Sequence, residues 1–136
     1  MKTVIIESIM TPFELARFNV INDRLDNNIL VLFQDHLDIN RHWRLDTGDV
    51  RFQYKILPDI PIRIGGKDLF TLHLNYSAYS ELMRIDPDVV ISCGWDSLAA
   101  YLSYAYCKKY RKKYIVWAGS TINEPSWRRA LSKPQA

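Results

Sequence analysis

The side chains best suited to chemistry sit on two short turns. One, Cys93-Gly94-Trp95-Asp96-Ser97, follows the apolar run Val89-Val90-Ile91-Ser92; the other, Ala118-Gly119-Ser120-Thr121, follows Tyr114-Ile115-Val116-Trp117. Asp96 offers a carboxylate that can take a proton from a hydroxyl, and Asp96 or Ser97 can equally cap the helical stretch that starts at Leu98. Trp95 offers a flat apolar platform for stacking, or a plug against a sheet edge. Gly119, Ser120 and Thr121 offer backbone N–H groups and hydroxyls to an oxyanion or an acceptor hydroxyl, or form a plain turn. Thr11, on the turn after the first apolar run, is a further candidate for substrate contact.

What positions these turns is a strand, a helix and a second strand. Short β-branched runs separated by a helical stretch read as a right-handed βαβ unit, and the turns past the strand C-termini are where open α/β sheets bind ligands. The same reading extends upstream. Residues 2–7 form a first buried strand, and residues 13–27 a helix with Phe13, Ala16, Val20 and Leu25 toward the sheet. Residues 29–33 are nearly all apolar, as expected of a central parallel strand covered on both faces. A polar stretch ending in Asp46-Thr47-Gly48-Asp49 leads to residues 50–57, whose alternation places a third strand nearer an edge. Pro58, Pro61, Gly65 and Gly66 break the chain, and a helix is expected over 72–85 through Leu74, Ala78, Leu82 and Ile85. Asp86-Pro87-Asp88 stops it before the fourth strand. Asn123-Glu124-Pro125-Ser126 reads as one more helix start, with Pro134 close to the end of the chain. The expected fold is a single α/β domain over 1–136, a three-layer Rossmann-like sandwich with a mostly parallel sheet of about five strands in the order 3-2-1-4-5.

Composition narrows the function. No apolar stretch approaches the roughly 20 residues that span a bilayer, and Glu7 interrupts the N-terminus before a signal-peptide core forms. A cytoplasmic location is expected, with peripheral contact at the inner face of a membrane through Lys108, Lys109, Arg111, Lys112 and Lys113. Those cations, interleaved with tyrosines, would each gain about 1 kcal/mol near an anionic surface, or else form a solvated helix end. They supply five positive charges, so the rest of the chain, from a total of +3, carries a net −2. A general nucleic-acid surface is therefore not expected. Helices in such a fold run antiparallel to the strands, which puts this patch at the edge opposite the ligand turns. Cys93 and Cys107 lack CxxC spacing, and His36, His42 and His73 are scattered, so reduced thiols and no metal site are expected.

Several stretches carry a resemblance. Asn40-Arg41-His42-Trp43, Arg84-Ile85-Asp86-Pro87-Asp88-Val89-Val90-Ile91 and Val116-Trp117-Ala118-Gly119-Ser120-Thr121, followed by Glu124-Pro125 and Arg128-Arg129, together with the element order, resemble the N-terminal half of a GT-B glycosyltransferase, similar to glycosyltransferase family 4. The resemblance implies a two-domain enzyme that moves a sugar from a nucleotide-sugar donor to a glycan or lipid-linked acceptor, usually without a metal or bound cofactor. The N-terminal half would shape the acceptor side, and a C-terminal half would hold the donor. This chain is then expected to be a fragment or truncated product, inactive alone and open to self-association. Asp96 is the base candidate, and Trp95, Thr11, Gly119, Ser120 and Thr121 the acceptor contacts. Two departures stand out: Ser8-Ile9-Met10-Thr11-Pro12-Phe13 lacks the Gly-Gly turn of many family members, and neither ligand turn holds a histidine. The rival expectation is a free-standing Rossmann-like or flavodoxin-like module that acts through a protein partner.

Overall fold

The computed structural model describes residues 1–35, 47–58, 60–65, 70–95 and 97–118. Strands β1 (Thr3–Glu7), β2 (Ile29–Phe33), β3 (Gln53–Ile56), β6 (Val89–Cys93) and β7 (Lys113–Trp117) form one sheet in the order β3-β2-β1-β6-β7, with every pairing parallel. Helix α1 (Pro12–Arg24) covers one face, and α2 (Ala78–Ile85) with α3 (Leu98–Tyr110) the other. Each face has its own core. Ile5, Val31, Phe33, Phe18 and Phe52 pack under α1, whereas Val4, Ile6, Leu32, Val90, Leu82 and Tyr106 pack under α2 and α3. Successive residues of β1 and β2 therefore serve opposite cores, which is why these strands read as unbroken apolar runs. The architecture is the expected α/β Rossmann-like sandwich, and its strand order is the one that the crossover rule favours.

Three local expectations are corrected. The helix expected over 72–85 begins only at Ala78. Residues 70–73 form β5 (Phe70–His73), which pairs antiparallel with β4 (Pro61–Ile64) in a separate two-stranded sheet. Pro61 opens β4 at the first strand position, where its missing N–H is tolerated. Asn75, fully buried, donates its amide to the carbonyls of Gln34 (2.8 Å) and Pro58 (3.2 Å), so it ties down the segments after β2 and β3 in place of opening a helix.

Helix α1 ends at Arg24, not at residue 27, because Asp26 (φ 53°) and Asn27 (φ 59°) adopt left-handed backbone. Its inner face also differs. Phe13, Ala16 and Val20 are exposed, and Leu15, Phe18, Asn19, Asn22 and Leu25 turn inward. Two buried asparagines are the reason. Asn19 donates to Asp49 O and accepts from Arg51 N, both at 2.8 Å, and Asn22 donates to Arg51 O at 3.0 Å. These amides satisfy the main chain entering β3, so a polar stripe lies where an apolar one was expected.

Candidate functional site

The strand order reverses at β1. The chain leaves β1 through α1 to β2 on one side, and β6 pairs with β1 on the other, so the C-terminal ends of β1 and β6 border the crevice where open α/β sheets hold ligands. Glu7 ends β1, Cys93 ends β6, and Trp117, the register partner of Cys93, ends β7. By strand alternation all three belong to the face covered by α1.

Arg17 of α1 gathers them. Its Nη2 donates to Glu7 Oε2 at 3.3 Å, pairs with Glu14 Oε2 one helical turn back, and lies 3.9 Å from Cys93 Sγ. The guanidinium carbon stands 4.1 Å from the centre of the Trp117 ring and 5.1 Å from that of Phe18, within cation–π range of both. Its Nε–H is buried and has no acceptor among the described residues. Glu7 is itself buried and accepts from Ser8 N (2.8 Å) and Ser8 Oγ (3.1 Å). Two carboxylates thus share one guanidinium, which leaves the cluster one negative charge in excess.

Burial is the larger influence on the neighbouring groups, with the Glu7 charge second. Burial, and then the Glu7 charge, raise the Glu14 carboxyl above its ordinary 4.5, with Arg17 pulling the other way. Burial, with Glu7 close by, pushes the Cys93 thiol up to about 12. Burial also carries Cys107 to about 11. Both thiols are protonated at neutral pH and poor nucleophiles; neither is in a disulfide.

Helix α1 does not present an open anion site. Pro12 has no N–H, Glu14 N donates to Thr11 Oγ1 at 3.1 Å, and Leu15 N donates to Thr11 O at 2.9 Å. Thr11 is therefore the N-cap, its oxygen spent on the helix and its O–H proton left to donate. The first turn of the helix has little to offer a phosphate, in keeping with the missing Gly-Gly turn.

Trp95 is exposed just beyond β6, and the Gly94 N–H to Trp117 C=O bond (3.1 Å) ties its turn to the end of β7. Ser97 caps α3 by accepting from Ala100 N at 3.1 Å, one of the two caps that the sequence allowed. Asp96, Gly119, Ser120 and Thr121 lie outside the described residues, as do Asn40-Arg41-His42-Trp43 and Trp127. Lys108, Lys109, Arg111, Lys112 and Lys113 sit at the end of α3 and the start of β7, on the sheet edge opposite the crevice. Lys112 is paired with Asp86 at 2.9 Å, and Lys109 lies 5.5 Å from the Tyr110 ring.

Nothing in the spacing of Glu7, Glu14, Arg17 and Trp117 along the chain marks them as a group. Two signals were there: an acid closing an otherwise apolar strand, and a Glu-Arg pair three residues apart opening the helix that follows. No cluster of metal-ligating side chains occurs among the described residues, and no helix among them is long and apolar enough to cross a membrane. Compared with protein-family models, with curated proteins and with solved structures, the chain finds no match.

Proposed function

We propose that this domain is the acceptor side of a GT-B-type glycosyltransferase, receiving a glycan or lipid-linked acceptor while a second, donor-binding domain supplies the sugar from a nucleotide-sugar. The observation that supports this reading is the chemistry of the crevice at the β1/β6 reversal. Exposed Trp95 follows the end of β6, and half-exposed Trp117, at the end of β7, lies against Arg17 of a cluster with excess carboxylate. Indoles stack on the apolar faces of sugar rings, and carboxylates accept hydrogen bonds from hydroxyls. The same negative excess, with α1 closed to anions, disfavours a nucleotide's phosphates. That matches the acceptor half of such an enzyme better than the donor half. Asp96 is the proposed proton acceptor, with Gly119, Ser120 and Thr121 as further acceptor contacts.

The test is a titration of the chain with neutral oligosaccharides and, separately, with nucleoside diphosphates, followed by tryptophan fluorescence. Saturable binding of an oligosaccharide that weakens in Trp117→Ala supports the proposal. Binding of the nucleotides alone overturns it in favour of a nucleotide-binding module.

A further inference from the structure

The last strand of the sheet is unusually bare. Among the described residues no strand pairs with the outer edge of β7, and Ile115 (50%), Val116 (46%) and Trp117 (46%) are exposed. The patch continues onto α3, where Tyr101 and Tyr104 are exposed and the Tyr104 ring packs on Tyr114 of β7 at 5.6 Å. An edge of this kind is a template for pairing with another strand, and aromatic residues are enriched where proteins meet.

The backbone shows which strand fits. Lys113 N–H donates to Asp88 C=O at 3.3 Å, and Trp117 C=O accepts from Gly94 N–H at 3.1 Å, so both residues turn their main-chain groups toward β6. By strand alternation Ile115 does the same, and Tyr114 and Val116 point theirs outward. We propose that β7 is a self-association edge: two copies pair antiparallel through β7 about a two-fold axis at Ile115, joining two five-stranded sheets into one.

This register is self-complementary. It sets Tyr114 opposite the partner's Val116 and Val116 opposite the partner's Tyr114, and these are the residues whose outward main-chain groups pair with no strand among the described residues, so both become hydrogen-bonded pairs. Ile115 meets its own copy in a non-hydrogen-bonded pair, where side chains approach most closely. Lys113, the only charge on β7, lies opposite the partner's Trp117 and four positions away from its own copy, so the pairing sets no two β7 charges against each other. Parallel in-register pairing would instead stack lysine on lysine.

The decisive experiment is oxidative crosslinking of Ile115→Cys, beside sedimentation of the full chain over a range of concentrations. Non-hydrogen-bonded partners have Cα atoms about 4.5 Å apart, within disulfide reach. Rapid crosslinking of Ile115→Cys is expected, with none of Lys113→Cys, whose copy lies at the far end of the pairing. Val116→Pro is the second arm. It removes an outward N–H and no bond to β6, so the fold should survive while dimer dissociation rises at least ~10-fold. A chain that stays monomeric at all concentrations, or a dimer that crosslinks equally at Lys113→Cys, overturns the proposal.

Discussion

Helices α1 and α2 carry the same local device, a glutamate followed three residues later by an arginine, and the fold gives the two opposite electrostatic outcomes. In α2, Glu81 pairs with Arg84 at 2.8 Å and also with Lys55 at 2.5 Å, and hydrogen bonds from both cations lower its carboxyl below the ordinary value. In α1, Glu14 shares Arg17 with the buried Glu7, and its carboxyl rises. One acid has two cations; in the other cluster, two acids have one. Solvent widens the contrast: the Arg84 side chain is 66% exposed and that of Arg17 only 20%. The α2 device joins the solvent-facing side of α2 to β3 beside an open groove of about 840 Å³ lined by Lys2, Leu30, Lys55 and Arg84. The α1 device builds a charged, water-poor wall at the crevice. Equal spacing in the chain thus says little about what an ion pair does.

Substitutions can break this contrast. The largest effect is expected from Arg17→Ala, which strands two poorly solvated carboxylates and costs about 3–5 kcal/mol at neutral pH. The loss, read by denaturant unfolding, should shrink in acid as the carboxylates take up protons. If Arg17→Ala costs no more than Arg84→Ala, the two devices are equivalent and the account of the crevice fails.

Next in size is the clamp that places α1. Asn22→Ala leaves Arg51 O without its amide partner and should lower stability by about 1–3 kcal/mol, measured in the same way.

The pH dependence sharpens the comparison through its sign. A raised carboxyl, as at Glu14, contributes stability below the unfolded value near 4.5 and loses it as pH rises through the folded value. A lowered one, as at Glu81, contributes above the unfolded value and loses it as pH falls. Relative to the parent chain, Glu14→Gln should therefore gain stability as pH rises from acid to neutral, and Glu81→Gln should lose it. Thermal melts across that range check the divergence. The smallest effect belongs to Arg84→Ala, about 0.5 kcal/mol or less, as for most exposed pairs, and it should vanish in high salt.

Much of the frame was legible in the chain. Four of the five parallel strands are short, largely apolar runs and the third alternates; each is long enough to be a strand and too short to be a helix, and the crossover rule then leaves one economical order. Ser97 as the cap of α3 and the basic run at the edge away from the crevice followed from the same local reasoning. The β4–β5 hairpin was not legible. Leu74, Ala78, Leu82 and Ile85 repeat at near-helical spacing, and nothing nearby says that Asn75 is held by carbonyls of two distant segments. The inner face of α1 is hidden for a related reason: burying Asn19 and Asn22 is favourable only once the chain entering β3 supplies their partners.

The crevice divides in the same way. Thr11 and Trp95 can be placed beyond strand ends from sequence, because turns after apolar runs mark the ligand edge of such a sheet. Arg17 meeting Glu7, Cys93 and Trp117 could not be. The parallel sheet, its order and the edge at which sheets of this kind hold ligands are all legible in the residues, since apolar periodicity and handed crossovers act locally. Which charges meet, and how much water they keep, comes only with the packed fold, because electrostatic energy depends on distance and burial, and neither is written in spacing along the chain.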